Sequence, residues 1–499
     1  MSASTRSALS VVGAALVVAA LTALVFVVRA GGDPADAATW PITWELRSSD
    51  NGTLFQVMQD AVAGRPLDWS FSPQVYVFPE LPLSAIAFAI SGGSIHLYYL
   101  VVAVLANVLL LLCLVLLARV LDPEAPVTSA VMRAGVAVVP LLVLPLIGTS
   151  WILSFHLAPT YYLGMYAALV AAPAVVLARG RPARITLGVA LALTAASNPL
   201  ALLFAAPGTA AALVLLVIRR GWRPAVRPAV TVGALLLGAL VLRFAFSPLQ
   251  GTSPFTYVDP EVFARRLAAI GPYYAYQARD PAAGVILVMG VVLAAACLAG
   301  AIWAAVAWLR RGPAPDRRLL VVVMLGTVPL GGLGATYLMM ITHYYYFWPV
   351  LILPYALVLL ALPRPVRPAA LGAGAAALVV VLIATGLPTN LGGWGRYDGY
   401  RTPETVCLDD AVPGMIGYAT FSDARRLSLP SATGSVSSRS SRTGRPTGGW
   451  RIARPRARTG APSSTSIGWA TSCPSTRRSS WSASVSPTAW NAATTPATC

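Results

Sequence analysis

Residues 97–118 read LYYLVVAVLANVLLLLCLVLLA, and Arg119 follows immediately. As an α-helix, this uncharged stretch is long enough to cross a hydrocarbon core of about 30 Å. Similar apolar runs recur along the chain, whose 499 residues are 57% hydrophobic and only 11% charged, with a mean hydropathy of +0.70. The sequence therefore predicts an all-α polytopic membrane protein. It lacks the alternating ten-residue segments that are typical of an outer-membrane barrel.

The apolar runs predict about eleven transmembrane helices, and the charged loops predict their direction. The runs fall at residues 8–28, 97–118, 133–152, 160–178, 185–197, 199–217, 228–247, 283–309, 319–341, 346–363 and 368–388. Alternate loops carry the clustered arginines, at 119–133, 179–184, 219–227, 310–318 and 364–367. By the positive-inside rule these loops face the cytoplasm, so the N-terminus is inside and the C-terminal region is outside.

Three apolar segments need individual interpretation. Residues 8–28 are too long for the apolar core of a cleaved signal peptide, so we expect an uncleaved signal-anchor. Residues 81–91 are too short to span, and a span here would place every later arginine loop outside. We interpret them as an interfacial or re-entrant helix on the outer side. Ser197-Asn198-Pro199 separates the runs on either side of it and predicts a hairpin near the outer face.

The acidic residues concentrate on the predicted outer side. Of the 18 Asp and Glu residues, only Asp122, Glu124 and Asp316 fall elsewhere. The outer side holds a large first extracytoplasmic loop at 30–96 and a second at 248–282. Because so few charges occur in this chain, the acidic first loop is where we expect its chemistry.

The end of the chain differs in composition from the rest. From Ala424 to Cys499 there is no Asp or Glu, while Ser, Thr, Arg and Pro dominate. A GC-rich gene read out of frame yields such a mixture, so we interpret the tail as frameshifted or disordered and expect no packing beyond residue 440. The alternative is a genuine basic tail that contacts anionic lipid or wall polymer. The predicted domains are a transmembrane domain at 1–388, the start of an extracytoplasmic segment at 389–430 and a low-complexity tail at 431–499.

The candidate catalytic residues are carboxylates of the first loop, Asp50, Asp60 and Glu80. Residues 51–63 have helical apolar spacing, which makes Asp50 a candidate N-cap. A purely structural role for Asp50 is therefore an open alternative.

The candidate ligand-binding residues of the outer side are basic or aromatic. Arg243 lies near the outer end of its helix, where it either binds a ligand or extends to the interface. Cations beside aromatic rings suit an anionic head group on a lipid, particularly a phosphate. The three histidines, His96, His156 and His343, all fall at predicted outer helix ends. The candidate phosphate-binding residues are Arg243, Arg265, Arg266 and Arg279; the candidate substrate-lining residues are His156, His343, Tyr344 and Tyr345.

Neither a structural metal nor a nucleic-acid partner is indicated. The five cysteines have no spacing that suggests a metal site. The net charge of +18 comes from arginines that flank apolar segments or lie in the tail. We therefore expect no nucleic-acid partner.

The layout resembles the GT-C superfamily of membrane glycosyltransferases, which includes protein mannosyltransferases and arabinosyl transferases. The resemblance rests on Asp50-Asn51-Gly52, on Gly64–Trp69, on Phe78-Pro79-Glu80 and on Asn198-Pro199-Leu200, within an architecture over residues 8–425. One departure concerns the acid. Many members carry a paired Asp-Glu at the start of this loop, whereas Asn51 follows Asp50 here.

The resemblance implies transfer of a sugar from a polyprenyl-phosphate donor to an acceptor hydroxyl outside the cytoplasm. The acceptor would be a cell-envelope glycan, lipid or protein, and the location a bacterial plasma membrane. A carboxylate would act as general base or would hold a divalent cation beside the donor phosphate. Asp50 is the first choice for that role, with Glu80 and Asp60 as reserves.

Other classes of membrane protein remain open. A transporter or lipid flippase would be expected to keep ionisable residues at the bilayer midplane or to show a repeated half. A polymerase or ligase of the O-antigen type resembles the chain in helix count, but typically places its long external loop late. A scaffold of cell-envelope assembly is a further alternative.

Overall fold

The computed structural model describes most of the helical part of the chain. The described residues are 2–30, 49–65, 71, 75–146, 156–157, 163–177, 181–249, 281–310 and 317–338, with single positions or pairs at 264, 268, 271–272, 275, 353, 356–357, 359–360, 380, 384, 416–417 and 452–453. Contacts divide the chain into two compact units. One comprises Met1–Leu46 and Thr53–Asp398, and the other comprises Arg47–Gly52 and Gly399–Cys499.

The described residues form twelve α-helices and two very short strands. The helices are α1 (Ala3–Ala30), α2 (Ser49–Val62), α3 (Glu80–Ser91), α4 (Ile95–Leu121), α5 (Val127–Val143), α6 (Leu163–Leu177), α7 (Arg181–Ser197), α8 (Leu200–Arg220), α9 (Trp222–Ala245), α10 (Pro281–Arg310), α11 (Arg317–Gly326) and α12 (Val328–Leu338). Single 3₁₀ turns follow α5 at Leu144–Leu146 and α9 at Ser247–Leu249.

Six stretches of the described residues are long and apolar enough to cross a membrane. They are Thr5–Arg29, Ile95–Leu121, Leu200–Arg220, Trp222–Ala245, Leu287–Arg310 and Arg317–Gly334. Helices α3, α5, α6 and α7 are apolar but shorter. The prediction of a helical membrane protein is thus supported in its coarse form. The predicted spans at 346–363 and 368–388 fall largely outside the described residues, and the count of eleven remains a prediction.

Helices α3 and α4 form a tight antiparallel hairpin. Gly92 and Gly93, with φ of 58° and 91°, make the left-handed turn that a side chain would disfavour. Ser94 then caps α4, because its hydroxyl accepts from the Leu97 N–H (3.1 Å). At twelve residues, α3 extends about 18 Å and does not span. The segment interpreted as interfacial or re-entrant is therefore a short helix that turns back into a spanning one.

The hairpin packs against α2, and Glu80 is the first residue of α3. The ring of Phe55 in α2 lies 5.3 Å from the Phe88 ring of α3 and 5.0 Å from the Tyr98 ring of α4. The Tyr98 side chain also bonds to Ser84, about one turn after Glu80. The position of Glu80 in the outer loop remains a prediction.

Glycines allow the second half of the bundle to pack closely. A Cβ on Gly331 of α12 would lie 2.5 Å from the Leu203 carbonyl oxygen and from the Phe204 Cα of α8. Gly208 of α8 is similarly close to the backbone of Met324 in α11. Small residues at such crossings let helices approach each other within a membrane.

The second unit contains the two strands. Ile416–Gly417 (β1) pairs antiparallel with Ile452–Ala453 (β2). Residues beyond 440 are predicted to pack against nothing, and this pairing differs from that prediction at Ile452 and Ala453. The rest of the predicted tail at 431–499 lies outside the described residues.

Candidate active site

The turn that precedes α3 has an unusual backbone. Tyr76 has φ of 52°, in the left-handed region, and the Phe78–Pro79 peptide bond is cis. The Leu81 N–H donates to the Tyr76 carbonyl (3.0 Å), which closes the turn onto the start of α3. We call residues 75–80 the Glu80 turn.

The Glu80 turn is bonded to the hairpin between α7 and α8. The Val75 N–H donates to the Ser197 carbonyl (2.9 Å), and the Phe78 N–H donates to the Ser197 hydroxyl (2.9 Å). A few residues earlier, the Phe71 N–H donates to the Leu249 carbonyl beyond α9 (2.9 Å). The end of the first loop is therefore held by residues more than one hundred positions away in sequence.

The turn between α7 and α8 is stabilised by Asn198, as its sequence predicts. The Asn198 side-chain oxygen accepts from the Leu200 N–H (3.2 Å), a local bond that asparagine commonly makes in turns. Arg243 of α9 donates from Nη1 to the Ala196 carbonyl (3.2 Å). Arg243 therefore binds the residue next to Ser197. The Arg243 guanidinium and the Glu80 turn both contact the C-terminal end of α7.

Glu80 is a buried carboxyl group, and only 8% of the residue is exposed. Its Oε1 atom has no hydrogen-bond partner among the residues that the structure describes. Burial raises the pKa of Glu80 to about 8, although a hydrogen bond from its own backbone acts in the opposite direction. A buried acceptor without a partner is costly and is uncommon unless it has a function.

The carboxyl group lies against the first turn of α6. A Cβ built on Gly164 would come 2.7 Å from Glu80 Oε1 and closer still to the Pro79 ring. Position 164 therefore accommodates only glycine without displacement of Pro79 or Glu80. The N-terminus of a helix also favours negative charge, so an ionised Glu80 would be less unfavourable here than elsewhere in the interior.

His156 lies beside the middle of α4. Its carbonyl accepts from Asn107 Nδ2 (3.1 Å), and Asn107 occupies the middle of α4. Neither residue has exposed surface. His96, in contrast, lies in the first turn of α4 as predicted, with its ring 5.7 Å from Phe26.

Sequence reasoning missed Asn107. The signal was present, because Asn107 is the one amide side chain in the run 97–118. Its Nδ2 also donates to the Ala103 carbonyl (2.9 Å), and its Oδ1 has no partner among the described residues.

The other two candidate acids occupy different settings. Asp60 accepts from Arg65 Nε and forms an ion pair with Nη2, both at 2.6 Å, at the end of α2. Asp50 is the second residue of α2 and therefore lies within the helix rather than at its N-cap. It belongs to the second unit. Such boundaries vary by one or two residues, and the Asp50 side chain lies outside the description.

The remaining candidate residues lie outside the described residues. They are Arg265, Arg266, Arg279, His343, Tyr344 and Tyr345. Within the described part of the chain, no group of three His, Cys, Asp or Glu side chains could hold a metal ion. The divalent cation that the resemblance implies therefore has no ligand set among these residues.

The geometry gives Glu80 two chemical abilities. With a pKa of about 8, the carboxyl group is largely neutral at pH 7 and can donate a hydrogen bond to a ligand; its ionised fraction can accept a proton from a hydroxyl group. Such a shifted acid in a buried polar site is a candidate for catalysis or for proton movement. No protein-family model, curated protein or solved structure matches this chain.

Proposed function

We propose that the protein is a membrane glycosyltransferase of a bacterial plasma membrane. It moves a sugar from a polyprenyl-phosphate donor to an acceptor hydroxyl of an envelope glycan, lipid or protein on the outer side. The observation that carries the proposal is the buried Glu80 carboxyl, whose Oε1 has no partner among the described residues. That carboxyl begins α3 next to the junction of the first loop with the Ser197 hairpin and Arg243.

In this proposal Glu80 is the general base, although the sequence favoured Asp50. Glu80 takes the proton of the acceptor hydroxyl while the oxygen of that hydroxyl forms a bond to C1 of the sugar. The bond between C1 and the phosphate oxygen breaks, and polyprenyl phosphate leaves with the electron pair. General-base help of this kind contributes about 10²–10⁴-fold to a rate. Arg243 is the candidate cation for the phosphate, because a guanidinium group pairs well with phosphate oxygens.

Transfer from a labelled polyprenyl-phosphate sugar in reconstituted vesicles tests the proposal. Glu80→Gln should lower transfer by about 10²–10⁴-fold, because the amide cannot accept the proton. Asp60→Asn is the matched control, since Asp60 is paired with Arg65 at the end of α2, and it should stay near the parent value. Loss in Asp50→Asn with normal turnover in Glu80→Gln would move the base to Asp50. Normal turnover in all three variants would refute a carboxylate of the first loop as the base, and absence of transfer by the parent protein would refute the glycosyltransferase proposal.

A transporter or lipid flippase is the second candidate, and a specific observation favours it. His156 lies beside the middle of the candidate span α4, where ionisable residues are expected in transporters. A flippase would move a fluorescent polyprenyl-phosphate lipid between leaflets without cleaving it. Movement without sugar transfer, lost in Glu80→Gln, would establish this candidate over the first.

A further inference from the structure

Five arginines gather at one end of the second half of the bundle. Arg219 and Arg220 end α8, Arg223 and Arg227 lie in the first two turns of α9, and Arg310 ends α10. Arg220, Arg223, Arg227 and Arg310 are exposed. We call this group the arginine end.

Trp308 joins the helices of the arginine end. Arg219 Nη1 donates to the Trp308 carbonyl, and Trp308 Nε1 donates to the Leu215 carbonyl (3.2 Å). The Arg220 guanidinium carbon lies 5.7 Å from the centre of the buried Trp308 ring. These contacts hold the ends of α8 and α10 together, so their arginines form one surface.

No acid within these helices offsets the charge. The sequences of α8, α9, α10 and α11 contain neither Asp nor Glu. The nearest acid in sequence, Asp316, belongs to the connection 311–316, outside the described residues. Arg133 of α5 offers a contrast, since it is buried and paired with Asp122 (3.4 Å).

Exposed apolar side chains adjoin the arginine end. Within about four turns of it, each of the three helices carries large exposed hydrophobic residues: Val214, Val217 and Ile218 on α8, Trp222, Val226 and Val230 on α9, and Ile302, Trp303 and Leu309 on α10. A soluble anion would use only the arginines. A molecule with both an anionic head and acyl chains would use both parts of this surface.

We propose that the arginine end binds anionic phospholipid head groups, with the acyl chains along the exposed residues of α8, α9 and α10. The site is separate from the Glu80 turn, and it does not depend on the proposed transferase activity. A basic residue beside an anionic membrane surface contributes about a fivefold gain in affinity. Guanidinium groups are also suited to bidentate binding of phosphate oxygens.

Native mass spectrometry of the purified full-length protein, titrated with phosphatidylglycerol or phosphatidylcholine, tests this site. The parent should retain phosphatidylglycerol in preference to phosphatidylcholine. Arg220→Gln and Arg310→Gln should each weaken phosphatidylglycerol binding about fivefold. Arg6→Gln is the matched control, because Arg6 is an exposed arginine of α1, which packs against α4 and α5. Its binding should stay unchanged.

A second measurement needs no arginine variant. Trp222 is 66% exposed at this end, so its fluorescence reports on the site. The Trp222 signal is the difference in tryptophan fluorescence between the parent and Trp222→Phe. Brominated phosphatidylglycerol should quench that signal more than brominated phosphatidylcholine does. Equal quenching by the two lipids would overturn the proposal, as would equal effects of Arg6→Gln and Arg220→Gln. Full displacement of phosphatidylglycerol by inorganic phosphate would also overturn it, since the acyl chains would then contribute nothing.

Discussion

Gly164 and Glu80 are so close that position 164, in the first turn of α6, has no room for a side chain. A methyl group at position 164 would meet Glu80 Oε1 at 2.7 Å and would overlap the Pro79 ring. Gly164, which lies in α6, therefore helps to set the position of the Glu80 carboxyl group at the start of α3.

We expect Gly164→Ala to displace Glu80. Overpacking of this kind costs about 1–3 kcal/mol, and sugar transfer should fall together with thermal stability. Gly135→Ala on α5 is the control, because no described heavy atom lies within 4 Å of a Cβ there. Thermal melting and vesicle transfer assays measure both effects. Equal behaviour of the two variants would contradict the close contact.

The raised pKa of Glu80 predicts a pH dependence of stability. The unfolded carboxyl group releases its proton near pH 4.5, whereas the folded one keeps its proton until about pH 8. The stabilisation by the neutral form is therefore fully present below pH 4.5 and is lost as pH rises through about 8. Melting temperature should fall over this window in the parent relative to Glu80→Gln. Parallel curves for the two proteins would place the Glu80 pKa near its ordinary value.

Transfer activity should depend on the same group with the opposite sign. A general base must be ionised, so turnover should rise with pH and level off above about pH 8. The profile is measured with saturating donor between pH 6 and 9, a range chosen to bracket the pKa by about one to two units on each side. A rate that is flat across this range in an active protein would assign the base to another residue.

The Ser197 hydroxyl should be needed to hold the Glu80 turn. Ser197→Ala leaves the Phe78 N–H without its acceptor, which costs about 1–3 kcal/mol if no water replaces it. Thr194→Ala removes a hydroxyl of the same helix that donates to the Ala190 carbonyl within that helix, and it should cost less. Chemical or thermal denaturation compares the two. A larger loss in Thr194→Ala would contradict the importance of the link.

The topology can be tested with single cysteines in a background without the five native ones. Val62→Cys, at the exposed end of α2, should react with an impermeant thiol reagent added to intact cells. Arg223→Cys should react only after permeabilisation. The reverse pattern would invert the predicted orientation.

The sequence predicted those parts of the fold that depend on local chemistry. The run 97–118 became α4, the helical spacing of residues 51–63 became α2, and Ser197-Asn198-Pro199 became the turn between α7 and α8. Each rests on periodicity, length or turn residues that a short window contains.

The candidate site was less predictable because its geometry depends on distant partners. Nothing near Glu80 in sequence indicates that Ser197 and Gly164 would surround it. The sequence therefore ranked Glu80 below Asp50, although Glu80 is the buried acid. Asn107 and His156 are 49 positions apart, and the residues that flank His156 do not predict that it contacts the middle of α4.

The tight turn at Gly92 and Gly93 has a consequence for how the protein is made. Helix α3 is too short to remain in a bilayer alone, so it needs α4 beside it when it leaves the translocation machinery. The two helices should therefore insert as a pair. Helix α3, which carries Glu80, is synthesised before α4 but should reach its final position only after α4 is complete.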